Sequence, residues 1–422
     1  MGRATTKGTF IKERLTEARE ARGLTLKDVG RPLNRAESTI SNWERGEQAP
    51  DPEVLRDLAT TLGVHVPYLL KDVPAHGGNP VFFRSLVSAT ARARTREKAR
   101  VRWLQHISLE VQNVLEFPAP DIPEFVRGED YMKLKTQDLE HIASEMRAHW
   151  DLGGGPIRTM VMVAENAGVI VGVDEVGSTA IDGQGTWSPV DGRPYILLCT
   201  DKYTAYRRQM DVAHELAHLV LHRGVRSEDE LKTNFEFIER QAKYLATAFL
   251  LPHRAFSAEI SSLSLSGFLS MKRRWMVSIG AMIMRSEQLE IVSPDAARAL
   301  WKYRATKGWN RQEPYDLPEE TPVEQPCLLK RGIEMIVSER VRSKAELLES
   351  DIGIAAADVE MMACLPKGYF TAEPAPVIRM EPKIRSRTPE VVASEVVPFR
   401  RPPARTSQAS LERDGDRTAI PW

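Results

Sequence analysis

Cysteine is scarce. The 422 residues hold three, Cys199, Cys327 and Cys364, odd in number and far apart. That argues against a disulfide framework and a cysteine-built zinc site, and leaves three reduced thiols. No apolar run approaches the roughly 18 residues that a membrane-spanning helix needs, so no membrane partner is expected. Net charge is missing as well. Lys+Arg 58 balances Asp+Glu 58, so the chain as a whole gives no electrostatic pointer to a polyanion. The first ten residues lack the apolar centre of a signal peptide, and the cytoplasm is the expected location. What remains is ordinary globular material, 42% hydrophobic and 27% charged, with enough length for two or three domains.

Helix punctuation organises the first 70 residues into five short helices. Thr9 is placed to cap the first, and Gly23 to end it. Thr25, with Asp28 three residues on, caps the second. Gly46 stops a third that runs from Glu37 to Arg45. Asp51-Pro52 opens a fourth, Gly63 closes it, and a short last helix lies around Pro67 to Leu70. His76-Gly77-Gly78-Asn79-Pro80 reads as a linker. A basic stretch follows, in which Arg84, Arg92, Arg94, Arg96, Lys98, Arg100 and Arg102 face one acid, Glu97. Phe117-Pro118-Ala119-Pro120 reads as extended chain. A helix over Val161–Ala167, a strand at 169–173, and strands at Trp187 and at Tyr195–Cys199 give a small sheet. Helices dominate again to about residue 360, and the tail, poor in aromatics, reads as disordered.

The fold class that follows is α+β and mostly helical. A five-helix helix-turn-helix domain is expected over 1–72, and a linker with a basic helical connector over 73–135. A zincin-like domain with a small sheet is expected over 136–260, then a helical domain over 261–370 and a disordered tail over 371–422.

The most informative string is His214-Glu215-Leu216-Ala217-His218. Residues i and i+4 share a helix face, so His214 and His218 can present ring nitrogens to one ion. Glu215 projects beside them, placed to take a proton from water. Apolar Val212, Leu216, Leu219 and Val220 bury the rest of the helix. With nine His in 422 residues, a chance H-E-x-x-H is on the order of a one-in-a-hundred event, so two unconnected histidines are the weaker reading. A catalytic zinc takes three protein ligands and keeps one open position. Position 224 is Gly, which rules out a third histidine six residues after His218. His222 lies one turn further along the same helix and reads as a residue behind the ligands or at the helix end. The third ligand is sought on a second helix ending at Pro252, where Glu239 opens an E-x-x-A and Glu236 competes from one turn earlier. Two histidines and a carboxylate suit zinc, and leave manganese and iron open.

Thr25 to Arg45 has a helix-turn-helix layout. Leu26, Val29, Ile40 and Trp43 face inward. Glu37, Ser38, Thr39, Ser41 and Asn42 face outward and can reach base edges or phosphates of double-stranded DNA, while Arg35 and Arg45 can grip the backbone. Pro32 falls late in the first helix of the pair, where it removes a backbone donor. The Arg-rich stretch 84–102 offers further phosphate contacts, or is simply a solvated basic helix.

The string Leu24-Thr25 through Ser38-Thr39-Ile40-Ser41-Asn42-Trp43-Glu44-Arg45-Gly46 resembles the XRE-type helix-turn-helix of phage repressors. Arg208 to His222, followed by Glu239-x-x-Ala242 and Leu250-Leu251-Pro252, resembles the ImmA/IrrE family of metallo-endopeptidases. Arg274-Trp275-Met276-Val277-Ser278 and Gly308-Trp309 are similar to strings in that family's helical C-terminal part. The resemblance implies zinc ligands at His214, His218 and Glu239 and a catalytic glutamate at Glu215. It also implies cleavage of a DNA-binding repressor, often of XRE type, under stress or DNA damage. Ala217 stands where the family has Gly, and Lys243 and Leu245 where it has Asn and Phe. The expected function is therefore a DNA-binding zinc endopeptidase that cuts a repressor, acting as a monomer or a homodimer. The alternative is a transcriptional regulator or antitoxin-like protein whose zinc domain senses or scaffolds without proteolysis.

Overall fold

Local signals set most helix ends in the first 70 residues of the computed structural model, which describes residues 9–75, 81–83, 90–175, 183–200 and 204–371. The helices are α1 (Lys12–Ala21), α2 (Leu26–Gly30), α3 (Glu37–Arg45) and α4 (Pro52–Leu62), followed by a 3-10 turn, Val66–Leu70. Thr25 and Asp28 form a reciprocal capping box on α2. Gly46 and Gly63 end α3 and α4 in left-handed conformation, which glycine adopts without steric cost. Because α2 stops at Gly30, Pro32 removes no helical hydrogen bond. Thr9 does not cap α1. The helix starts at Lys12 with extended Ile11 ahead of it, whose N–H donates to the Leu69 carbonyl at 2.9 Å.

The strand pair Phe82–Phe83 (β1) comes next, then α5 (Ala91–Gln112), α6 (Thr136–His149) and α7 (Met160–Asn166). Strands β2 (Ile170–Asp174), β3 (Gly183–Trp187) and β4 (Pro194–Cys199) precede α8 (Ala205–Leu221), α9 (Glu228–Thr233), α10 (Phe235–Leu250) and α11 (His253–Glu259). Next follow α12 (Leu265–Trp275), α13 (Ile279–Gln288), α14 (Pro294–Thr306), α15 (Leu328–Ser338), a π-helical turn at Glu346–Ile352 and α16 (Ala356–Met362). The small sheet has the order β1-β3-β4-β2, with β2 parallel to β4 and the other pairs antiparallel. The chain is mostly helical, as its sequence pattern predicts. The expected disordered tail lies, beyond Thr371, outside the described residues.

The sheet separates two apolar cores. Alternate residues of a strand point to opposite faces, so Ile196 and Leu198 join one core while Tyr195 and Leu197 join the other. The first core gathers α6, α8, α10, α12 and α13. The second gathers the back of the sheet, α5, α15, α16 and the helix-turn-helix residues Leu15, Ile40, Leu58 and Leu69. The helix-turn-helix thus shares a core with the sheet's back face, and residues 1–372 cluster as one unit.

The basic stretch read as a connector forms α5, and buried polar contacts tie it to the N-terminal helices. Arg100 donates to Asp174 on β2 at 2.5 and 2.7 Å and to Asp358 at 2.5 Å, while Arg22 of the helix-turn-helix reaches the same Asp358 at 2.6 Å. The Tyr68 hydroxyl donates to Glu17 at 2.6 Å and accepts from Trp103 Nε1 at 2.9 Å. A lone bridge joins Val64 to Ile354, with His65 donating to the Gly353 carbonyl. Arg92 donates to the Gly23 carbonyl, Arg96 pairs with Glu97, and Lys98 pairs with Glu228. These cations meet groups of this chain rather than forming a free row for phosphates.

Two stability measurements follow. Arg100→Ala leaves Asp174 buried with Arg96 3.9 Å away as its remaining charge partner. It should cost about 3–5 kcal/mol in a urea titration; a loss below 1 kcal/mol would show that the pair does not hold this interface. Burial, helped by Asp174, pushes the Glu97 carboxyl up to about 7, against Arg96 and Arg100. The folded chain then holds more protons than the unfolded one between the ordinary value of 4.5 and about 7, so stability falls as pH rises across that window. Glu97→Gln should flatten that part of the stability curve.

Candidate metal centre

Helix α8 carries the H-E-x-x-H string and is capped by Thr204, whose side chain accepts from the Arg207 N–H at 3.1 Å. Nearly all of α8 is buried, with β3 on one side and α10 on the other. Helix α10 ends just before Leu251-Pro252, since the residue ahead of a proline is pushed out of helical conformation. Packing α10 on α8 carries Glu239 to the histidine face.

Three side chains converge there. His214 Nε2 and His218 Nε2 lie 3.1 Å apart. The Glu239 carboxylate reaches His214 Nε2 at 3.3 Å and His218 Nε2 at 3.1 Å. One donor atom from each lies within 4.8 Å of the others, a set able to hold a metal ion. The fit can be tested by size. Tetrahedral zinc with bonds of about 2.0–2.1 Å has ligand–ligand edges of roughly 3.3–3.4 Å, close to the spacings seen. Burial would raise the Glu239 carboxyl, but its contacts with the His214 and His218 rings reverse that and hold it well below the usual carboxylate range. It is therefore a charged candidate ligand at any physiological pH. Glu236 is exposed and stands outside this cluster.

Behind the cluster runs a relay that fixes a tautomer. Gln241 Nε2 donates to the Tyr131 carbonyl at 2.7 Å, and a carbonyl can only accept. The Gln241 oxygen therefore faces His222 Nε2 at 3.1 Å, which must carry the proton. Burial, then the nearby His218, holds His222 well below its ordinary pKa, so it is neutral and its Nδ1 keeps a lone pair. His218 Nδ1 donates to it across 3.1 Å, which leaves His218 Nε2 free to face a metal. His222 thus sits behind His218 and also ends α8. The i+8 spacing made its position legible, but Gln241 carries no sequence signal for its part.

Glu215 is buried with its carboxylate against β3. A Cβ placed on Gly183 or Gly185 would come within 3.3 and 3.2 Å of its two oxygens, so the bare backbone of β3 makes room for this acid. Gly224, where a third histidine would stand in another zincin pattern, packs so tightly on Gly128 that no side chain fits. Two tyrosines near the motif are engaged elsewhere: Tyr244 donates to Glu140 at 2.6 Å, and Tyr206 lies 2.9 Å from Thr321 Oγ1. Tyr203 lies outside the described residues.

The second group of sequence candidates lies on and beside α3. Arg35, Glu37, Ser38 and Arg45 are exposed, and Thr39, Ser41 and Asn42 are half-buried. Ile40 and Trp43 anchor the inner side in the core. Arg45 donates to Ser41 and Asn42 and pairs with Glu47 at 2.6 Å. A phosphate approaching Arg45 would have to compete with Glu47.

The relay can be checked directly. Gln241→Leu should weaken zinc affinity about 10–100-fold in a chelator competition. Affinity equal to that of the wild type would reduce the relay to packing.

Residues 13–68 match a helix-turn-helix domain family, and residues 164–287 match the IrrE N-terminal-like domain family. The HTH-type transcriptional regulator DdrOP3 of Deinococcus deserti is 42% identical over 65 residues, 15% of this chain and 50% of that protein. The HTH-type transcriptional regulator ImmR of Bacillus subtilis is 38% identical over 60 residues, 14% of this chain and 47% of that protein. The chain spans about half the length of these curated relatives. No helix among the described residues is long and apolar enough to cross a membrane. The chain therefore joins a helix-turn-helix DNA-binding domain to an IrrE N-terminal-like domain, a domain of a metallopeptidase family.

Proposed function

We propose that this protein is a zinc metallo-endopeptidase that hydrolyses a peptide bond in a repressor protein, with its helix-turn-helix bringing it to duplex DNA in the cytoplasm. The observation that carries the reading is the convergence of His214, His218 and Glu239 on one point, with Glu215 on the same helix. A zinc held by these residues supplies Lewis acidity, which polarises a substrate carbonyl and acidifies water. The protein's own part is proton handling. Glu215 accepts a proton from the attacking water and returns it to the leaving amine as the C–N bond breaks, so the carboxylate ends as it began. Its burial against Gly183 and Gly185 shields it from bulk water. Glu239 and the relay through His222 hold the histidine nitrogens in the form that binds metal.

The repressor assignment rests on what the two domains do together. A DNA-binding head places a peptidase where DNA-bound regulators sit, and the curated relatives are themselves transcriptional regulators. On α3, Ser38, Thr39, Ser41 and Asn42 would read base edges beside Glu37, with Arg35 and Arg45 on phosphates. A second reading keeps DNA binding and drops proteolysis, making the zinc domain a sensor or scaffold. It is favoured by the burial of His214 and His218, which are 1% and 0% exposed.

One set of variants separates the two. Purified wild type should carry about one zinc per chain by mass spectrometry, and His214→Ala/His218→Ala should lose it. Glu215→Gln should keep the zinc and DNA binding, and lose at least about 100-fold in cleavage of helix-turn-helix repressors. Cleavage that persists in Glu215→Gln would sink the enzyme assignment, and zinc without cleavage in the wild type would favour the sensor.

A further inference from the structure

The strand that cradles Glu215 has two edges. One is hydrogen-bonded to β4 along all five residues of β3, from Gly183↔Leu198 to Trp187↔Pro194. Among the described residues the other is covered by β1, which pairs antiparallel through Phe82↔Gly185 and Phe83↔Gln184. Between these edges the face of β3 lies on the Glu215 carboxylate at Gly183 and Gly185. An uncovered strand edge presents unpaired N–H and C=O groups and takes up an extended peptide as an added strand.

The covering segment reaches the metal cluster as well. The Phe82 ring stacks on His218 with centroids 4.9 Å apart and planes 11° from parallel, and is tilted 6.0 Å from His222. Phe82 is 3% exposed and belongs to the same core as α8 and α10. In sequence, Val81-Phe82-Phe83 is an apolar triplet behind a Gly/Asn/Pro linker, between the helix-turn-helix and α5.

We propose that Phe82–Phe83 is a tethered occupant of the outer edge of β3, lying where an extended peptide would add to the sheet, and that it keeps the metal centre closed. The inference rests on the endopeptidase reading above and adds to it a latent state. A peptide that replaces the segment pairs antiparallel with β3 and carries a large apolar or aromatic side chain where Phe82 now lies on His218. Covalent attachment gives the resident segment an effective concentration of order millimolar, so a peptide in trans competes poorly until the segment leaves. Among the described residues two of the segment pair with β3, and burial of Phe82 is its main further hold.

The test uses the zinc-loaded full chain with Phe82→Ala and Phe82→Trp, each first checked for wild-type zinc content and thermal melting. The rate of zinc transfer to the chelator 4-(2-pyridylazo)resorcinol reads access to the cluster. A fluorescein-labelled peptide with the sequence of residues 79–86 reads the free edge by anisotropy, with its Phe82→Ala version as control. Phe82→Ala should release zinc at least about tenfold faster and bind the peptide at least about tenfold more tightly than wild type. Phe82→Trp should behave as wild type, and the control peptide should bind weakly to all three proteins. Unchanged release together with no gain in peptide binding would overturn the inference and leave the metal centre intact. Should no variant hold zinc, the endopeptidase reading fails instead, and peptide binding to the metal-free chains still decides whether Phe82 occupies the edge.

Discussion

Everything at the metal centre depends on the burial of α8 between β3 and α10. A helix with His214 and His218 four residues apart supplies two nitrogens on one face, but spacing alone leaves both rings free to rotate. Packing removes that freedom. On one side α10 delivers Glu239 to both imidazoles and Gln241 to His222. On the other, β3 offers glycine backbone to Glu215. The convergence of these side chains is therefore a tertiary property, made where two helices and a strand pack together.

The same sheet explains why the DNA-binding helices do not hang free. Its back face is apolar and must be covered, and α5 covers it. Helix α5 in turn presents Trp103, Arg100 and His106 to the helix-turn-helix and to the segment around Gly353. Charges buried at this junction are matched: Arg22 and Arg100 share Asp358, and Arg100 also holds Asp174 at the end of β2. Buried ion pairs of this kind add little net stability over apolar packing, but they penalise any arrangement that leaves one partner unmatched. They select one docking of the head against the sheet, whereas the apolar contacts supply the cohesion.

Local chemistry was legible in the sequence and long-range chemistry was not. The capping box of Thr25 and Asp28, the stops at Gly46 and Gly63, the extents of α3 and α4, and the strand at 195–199 all follow from interactions within a few residues. The histidine pair and Glu239 were legible for the same reason, each being a short pattern on one helix. Thr9 is not a cap: Ile11 is extended and tied to Leu69, 58 positions away, a contact no local pattern announces. The row of arginines in α5 could be read as a solvated basic helix or as phosphate contacts, but not as a buried junction, because the acids that engage it, Asp174, Glu228 and Asp358, lie far along the chain. Gln241 and Phe82 carried no signal, since their roles come from contacts with His222 and His218 made across the fold. The Pro32 difficulty vanished for a local reason, α2 being only five residues long.

A hydrolytic centre must be dry enough for its charges to act strongly and open enough to admit a peptide. In this structure the first condition is met outright and the second is not, because both histidines are buried and Phe82 lies stacked on His218. The two conditions are compatible only if what seals the centre is weaker than what builds it. Here the builders are interleaved helices, a five-residue strand pairing and the Gln241–His222 relay, whereas the seal is two residues of edge strand and one aromatic ring. Withdrawing that ring costs the burial of a single large side chain, on the order of a few kcal/mol, and a peptide that supplies an equivalent side chain and the same two backbone pairings recovers most of it. The energetic asymmetry between scaffold and seal is what allows opening without unfolding.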